Sequence, residues 1–465
     1  MLPRARLTLL AGCLVMALAN AAPAIAETTA QAMPEYMDML GHAIAMQTVE
    51  GKDQVPAFAR YLAGKLESAG FAKSDIQIIP VGHTAALVVH YRGSGKGKPI
   101  LISAHMDVVA ANADGWTDHD PFKLVKDGPY YYGRGVADMK DNTVALVATF
   151  MRLKREGFVP GHAMILVFSG DEETDMASTR ELAKRYHDAE FLLNGDAGGG
   201  TYDAKLKPVM FEVQAAEKTY ADFQLTATSK GGHSSEPSPD NAIYKLAGAL
   251  QRVAAYPFPV KYNKITLASF KAIGEHGSGK LAEAARQFTA DPGNARAVAV
   301  ISADPAYVGQ IRTTCAATML GGGHALNALP ERATANVNCR IFPGTSVASV
   351  QAALVKAVAN PAIEVSVRMP PPVTSPASPL RPDVMAAVAT TVHERFPGLD
   401  IVPGMSSGAT DSMYFRNAGV PCYGIDPNFS KPGDAHAHGY NERLLATEPP
   451  AGLDFWHSLL TKLTK

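Results

Sequence analysis

Between residue 34 and about residue 216 the hydrophobic pattern alternates between two periods. "YMDMLGHAIAM" and "VPAFARYLAGKLESAGF" repeat apolar positions every three or four residues, which predicts amphipathic helices, the second stopped by Gly70. "AALVVHYRG", "PILISAHMDVV" and "AMILVFSGDEE" are continuous apolar, β-branched runs. Such runs between helices predict a mostly parallel sheet covered on both faces. Each ends in polar text, and two of them run straight into imidazole or acidic residues. Those residues therefore belong at the carboxyl ends of strands, where open α/β sheets build their sites.

The pattern changes from 217 to 369. Strand "TYADFQLTATSK", helix "DNAIYKLAGALQRVA", strands "RTTCAATML" and "ERATANVNCRIF", helix "SVASVQAALVKAVA" and strand "AIEVSVRM" follow in order. This β-α-β-β-α-β succession is that of a ferredoxin-like sandwich. An extra, partly helical segment near 256–311 interrupts it. The Pro-rich "MPPPVTSPASPLRP" marks a boundary, after which helix "DVMAAVATTVHERF" resumes α/β text. The expected organisation is an α/β catalytic domain in two pieces, 27–216 and 370–465, with an α+β domain inserted between them.

Residues 1–26 read as a secretory signal rather than fold. Arg4 and Arg6 precede the apolar "LTLLAGCLVMALA", and Ala24-Ile25-Ala26 forms a cleavage site. The segment is too short for a membrane span, so export to the periplasm or medium is expected. A lipobox-like "LAGC" at Cys13 is the rival reading, but its apolar lead-in is short and hydrophobicity continues beyond it. With a formal net charge of -1 and no basic run, nucleic acid is not an expected partner. Cys315, Cys339 and Cys422 form no zinc motif. One disulfide could form among them without the sequence choosing the pair, and buried small side chains are the expectation for at least two.

Candidate chemistry gathers after the strands. His105 and Asp107 follow "PILISA". Asp138 lies in the glycine-flanked "YYGRGVADMKDN", Glu172 and Glu173 in "FSGDEETD", Asp196 in "LLNGDAGGG" and His438 in "DAHAHGYNER". Singly each has a bland reading: a helix cap for Asp138, a solvated loop for the two glutamates, a turn for Asp196, a surface imidazole for His438. Jointly they repeat one grammar of apolar run, sharp turn and ligand-type residue. Two imidazoles and three carboxylates make a nitrogen/oxygen set suited to Zn²⁺, with Co²⁺ or Mn²⁺ as substitutes.

These motifs, in the order H-x-D, G-R-G-x-x-D-M-K, D-E-E, a lone Asp and H-x-x-N-E, resemble the dizinc hydrolases that include glutamate carboxypeptidase, carboxypeptidase S, aminoacylases and succinyl-diaminopimelate desuccinylase. The resemblance spans essentially the whole chain after residue 26. It implies that His105 and Asp196 bind one zinc, that Glu173 and His438 bind the other, and that Asp138 bridges them with a cis peptide bond to Met139. Asp107 would orient the His105 ring and Glu172 would act as general base. From the inserted lid, His233 would polarise the scissile carbonyl, often across a homodimer. Asn327 and Arg340 would bind the substrate, Arg340 and the Gly408 backbone at its carboxylate.

Two departures stand out. The family's usual D-M-K-G-G is D-M-K-D-N here, as in the carboxypeptidase S branch, and the lid carries roughly 55 residues more than a compact ferredoxin-like domain. The expected activity is hydrolysis of an amide beside a free C-terminal carboxylate, as a carboxypeptidase or dipeptidase. Asp rather than Glu at position 196 favours peptides within the family. The alternatives are an N-acyl amino acid amidohydrolase on the same machinery and a binding protein that has lost catalysis.

Overall fold

The computed structural model describes residues 27–465 apart from Lys96 and Asp118, so the leader expectation and Cys13 lie outside the described residues. The middle of the large sheet is parallel. Met164–Ser169, Ile100–His105, Phe191–Asn194 and Cys422–Gly424 lie side by side in that order. Every residue of Ile100–His105 and Met164–Ser169 is buried. Ile100, Ile102, Leu166 and Phe168 face one core with helices Thr29–Ala45, Val55–Ser68, Lys140–Arg155 and Glu448–Leu463, whereas Leu101, Ile165 and Val167 face a second core with helix Ala177–Arg185. Burial on both sides explains the unbroken apolar runs, each fully buried Ile or Leu contributing about 2 kcal/mol. The flanks are not parallel. Ile76–Val81 and Thr84–Tyr91 form an antiparallel hairpin, and Pro208–Glu217 runs antiparallel to Gly199–Tyr202.

The inserted unit is a four-stranded antiparallel sheet in the order Thr314–Gly322, Arg332–Ile341, Thr219–Thr228, Ile363–Val367. Helices Ala242–Ala255 and Val347–Val358 pack together, and they share a core with Phe223, Leu225, Val337 and Ile341. Alternation along the strands leaves Tyr220, Asp222, Asn336, Asn338 and Arg340 on the other face. The extra segment folds into helices Lys264–His276, Gly279–Ala290 and Ala295–Ser302 around Phe270, Phe288 and Ile301. It does not hang from the lid alone. Helix Lys264–His276 packs on strand Ile401–Ser406 of the large sheet, Gln310 Nε2 donates to Met405 O at 2.8 Å, and His276 Nε2 lies 2.7 Å from Asp400.

The first crossing between the two units is pinned by charge. The buried Glu217 carboxylate pairs with Arg416 at 2.8 Å and accepts from Ser375 Oγ at 2.9 Å and from Thr410 N and Oγ1 at 3.0 Å. Beside it, fully buried Lys218 donates to Arg312 O at 3.0 Å and Thr314 Oγ1 at 3.1 Å, and burial depresses its amine to about 7.

The cysteines differ from expectation. Cys315 faces Cys339 in register across two antiparallel strands and the pair forms a disulfide, which leaves Cys422 as the one buried thiol among the described residues. Strand register, invisible in the spacing of cysteines, selects the pair.

Candidate active site

Three ligand-type positions leave the carboxyl ends of neighbouring parallel strands. His105 ends Ile100–His105, Glu172 and Glu173 follow Met164–Ser169, and Asp196 follows Phe191–Asn194. Asp138 enters from the turn before helix Lys140–Arg155. It does not cap that helix: Met139 is the cap residue without a capping side chain, and the Asp138–Met139 peptide is cis. Instead its carboxylate faces two imidazoles. Oδ1 lies 3.1 Å from His105 Nε2 and Oδ2 lies 3.0 Å from His438 Nε2. Asp196 Oδ1 is 3.5 Å from His105 Nε2, and Glu173 Oε1 is 3.0 Å from His438 Nε2. The donor atoms thus form two triads, His105–Asp138–Asp196 and Asp138–Glu173–His438, each within 4.8 Å and sharing Asp138. The His105 side chain is 1% exposed and that of His438 is 54% exposed, so the cluster opens to solvent on the His438 side.

Neighbouring groups hold these side chains in place. His105 Nδ1 donates to the Asp107 backbone carbonyl at 3.0 Å, with the Asp107 carboxylate at 3.5 Å. That fixes the tautomer with Nε2 free to ligate. The nearer acceptor is thus the main chain, while the Asp107 carboxylate takes the amides of Glu172 at 3.1 Å and Glu173 at 3.0 Å. Sequence reasoning placed Glu442 in a motif but assigned it no role. Its buried carboxylate accepts the amides of Gly135, Ala137 and Asp138 at 2.9–3.0 Å and pairs with Arg134, shaping the turn that presents Asp138. Asp411 went unnoticed altogether. It is buried, accepts from Ser169 Oγ at 2.5 Å and from Thr179 Oγ1, and burial pushes its carboxyl up to about 7. The His438 loop runs through left-handed backbone at His436, His438 and Asn441, which swings the imidazole back over the cluster.

The electrostatics call for a cation. Burial and the charge of Asp196 hold Glu172 well above the ordinary carboxylate value, and burial pushes Asp196 to about 6. Burial alone would depress His105, but the carboxylates of Asp196, Asp107 and Asp138 outweigh it and raise the ring well above its usual value. Like charges about 4 Å apart at an effective dielectric near 20 repel by about 4 kcal/mol, so four converging carboxylates need more positive charge than two imidazoles supply. Two nitrogen/oxygen triads joined by one carboxylate fit a pair of divalent metal ions.

Residues 101–462 match the model of peptidase family M20/M25/M40. The chain belongs to that family. It is 27% identical over 399 residues to a probable carboxypeptidase S-like protein 2 of Dictyostelium discoideum, covering 82% of this chain and 75% of that one. It is also 27% identical to the N-fatty-acyl-amino acid synthase/hydrolase PM20D1 of Mus musculus, over 75% of this chain and 70% of the relative. The metallo-carboxypeptidase Sso-CP2 of Sulfolobus solfataricus superposes with a TM-score of 0.70 at 16% identity, covering 92% and 99% of the two chains. The di-peptidase Dug1p of Saccharomyces cerevisiae superposes at 0.68, also at 16% identity, over 94% and 97%. At such identities the superpositions speak for the fold. As an M20/M25/M40 peptidase the protein is a metallo-hydrolase of peptide or amide bonds.

The lid residues His233, Asn327 and Arg340, and Gly408 after strand Ile401–Ser406, stand apart from this cluster. His233 lies exposed in the two-residue strand Gly232–His233, opposite Ala328, its Nδ1 2.7 Å from Ser235 Oγ, and Asn327 O accepts from Ser234 N beside it. Arg340 stacks its guanidinium 4.6 Å over the Tyr220 ring. Gly408 N donates to Ser406 Oγ at 2.9 Å. Among the described residues none of these four hydrogen-bonds to the metal-type cluster. Trp116 is buried beneath Arg134 and packs the fold.

In the absence of metal the carboxylates of Asp138 and Glu173 push His438 up to about 10, so at pH 7 its ring holds a proton that a metal must displace. Metal affinity should therefore rise with pH up to that value. Calorimetric titration of chelator-stripped protein in buffers of different ionisation enthalpy should show proton release at pH 7; identical heats in all buffers would contradict it.

Proposed function

We propose that this M20/M25/M40 peptidase is an exported zinc enzyme that cleaves an amide bond beside a free C-terminal carboxylate. The observation that carries the reading is the Asp138 carboxylate split between two metal-type triads, with Glu172 buried beside them. Two zinc ions, one held by His105 and Asp196, the other by Glu173 and His438, with Asp138 shared, would supply the Lewis acidity that activates water and polarises the scissile carbonyl. Glu172 then has one task. Its carboxylate, kept proton-avid by burial, takes the proton from the attacking water and passes it to the leaving nitrogen. Arg340 and the Gly408 amide hold the substrate carboxylate, and His233 donates to the carbonyl oxygen, with Asn327 beside it.

The lid groups among them, His233, Asn327 and Arg340, act only once the lid lies over the cleft or a second copy brings its own. A homodimer through the lid supports the latter: Met319 and Leu320 on the outer strand Thr314–Gly322 are 64% and 72% exposed, and Tyr244 on the lid helix Ala242–Ala255 is 70% exposed. An N-acyl amino acid substrate offers the same carboxylate, and the PM20D1 relatives favour that second reading. Asp rather than Glu at position 196 favours peptides by the family resemblance. Export rests on the signal-like first 26 residues. Amino-terminal sequencing of the processed protein should begin at Glu27, and light scattering should give twice the chain mass.

Glu172→Gln should retain both metals and lose several orders of magnitude in kcat, since an amide fills the space but cannot accept the proton. Loss of metal together with activity would make Glu172 a ligand instead.

Arg340→Lys should lose most kcat/KM on free-carboxylate substrates at unchanged metal content, a cost of about 2–5 kcal/mol. A C-terminal amide should impose a similar loss on wild type and little more on the variant. Equal cleavage of acid and amide by wild type would remove both the carboxypeptidase and the acyl-amino-acid readings. A panel of dipeptides against N-acyl amino acids then separates those two.

A further inference from the structure

The turn that presents Asp138 runs into a buried polar chain that the reaction above leaves unused. Asp141 and Asn142, the residues that stand where the family usually has two glycines, are 2% and 1% exposed. The Asn142 side-chain amide uses both of its hydrogens, donating to Gly195 O at 3.0 Å and to Asp426 Oδ1 at 2.9 Å, and its oxygen accepts from Trp456 Nε1 at 3.2 Å. Asp426 in turn donates its backbone N–H to Ala197 O at 2.9 Å. The residues before and after Asp196 are therefore gripped by one connected pair, Gly195 by Asn142 and Ala197 by Asp426. The network is closed at its far end. Asp141 accepts from Tyr36 OH and from Asn428 Nδ2 at 3.0 Å, and Asn428 N returns to Asp426 Oδ1 at 3.0 Å. There is no slack beneath the turn either: a Cβ on Gly195 would come within 3.1 Å of Met139 Cε and 3.4 Å of Asn142 Cβ.

Asp138 lies in the turn just before helix Lys140–Arg155 and Asn142 in that helix's first turn, so the Asn142 amide is a strut between the segment bearing the shared carboxylate and the turn bearing Asp196. Two glycines could not form it. Glu173 and His438 are held by groups outside this network, the first by the Asp107 carboxylate and the second by its own loop. We infer that Asn142 is a positioning residue for Asp196: it sets the affinity of the metal held by His105 and Asp196 and leaves the metal held by Glu173 and His438 unaffected. The inference rests on the two-metal reading and goes beyond it in assigning one buried amide to one of the two ions.

The test uses the full-length mature chain, stripped of metal and titrated with Co²⁺ by calorimetry and by visible absorption. Asn142→Ala should weaken one of the two binding steps by about tenfold or more, the loss typical when a group that orients a ligand is removed. The other step should stay within about twofold. Asn142→Ser, which is smaller but still able to donate one hydrogen bond, should weaken the same step by less, and it serves if the alanine variant does not fold. Tyr36→Phe cuts the distal end of the network and should lower the melting temperature without moving either step, which separates positioning from general destabilisation. Equal weakening of both steps, or no weakening in a folded variant, would overturn the role of Asn142 while leaving two metals in place. Fewer than two Co²⁺ bound by wild type would overturn the two-metal reading itself, and this inference with it.

Discussion

The shared carboxylate of Asp138 is the constraint around which the catalytic domain is arranged. One side chain must face His105, fixed at the end of a central strand, and His438, carried by a loop more than three hundred residues later in the sequence. That requires the short Gly133–Met139 turn to hold one conformation. Glu442 supplies it by accepting three successive-region amides and the Arg134 guanidinium, and because Glu442 follows His438 closely, the same segment both shapes the turn and delivers the second imidazole. A buried carboxylate with this many donors is satisfied as an ion, whereas loss of either partner would leave a buried charge uncompensated.

A second buried pair plays the corresponding part at the crossing to the lid. Glu217, at the end of the strand that leads into the lid, is tied to helix Ser412–Asn417 through Arg416 and, through Thr410, to the 406–412 loop, which contains Gly408 and Asp411. Arg340 is close by through Lys218, whose amine feels its charge. Arg340 thus lies on the lid side of the crossing and Gly408 on the side of the metal-type cluster. The extra helices lie against the large sheet, where helix Lys264–His276 contacts strands Ile401–Ser406 and Pro208–Glu217. The insertion, continuous in sequence with the lid, therefore packs on the sheet of the other unit.

Much of this was legible in the chain because burial writes itself into sequence. A parallel strand buried on both faces has to be apolar throughout, so Ile100–His105 and Met164–Ser169 announce themselves, and the ligand-type residues follow where the apolar run stops. The β-α-β-β-α-β order of the lid likewise appears as alternating periods, and the observed strand order agrees with it. The sequence alone therefore determined the fold class and the residue types available for metal chemistry.

Pairing between distant positions was decided only by the tertiary structure. Cys315 and Cys339 join because strand register sets them opposite each other, not because of their spacing. Asp107 gives its carbonyl to His105 and its carboxylate to two amides, a division that depends on where the Glu172 turn lies. Glu442, Asp411 and Asn142 carry no periodic signal, since a buried polar residue is defined by its partners and those come from elsewhere in the chain. Periodicity reports how one segment meets its surroundings on average. Which donor meets which acceptor is fixed only when the packed elements bring them within about 3 Å.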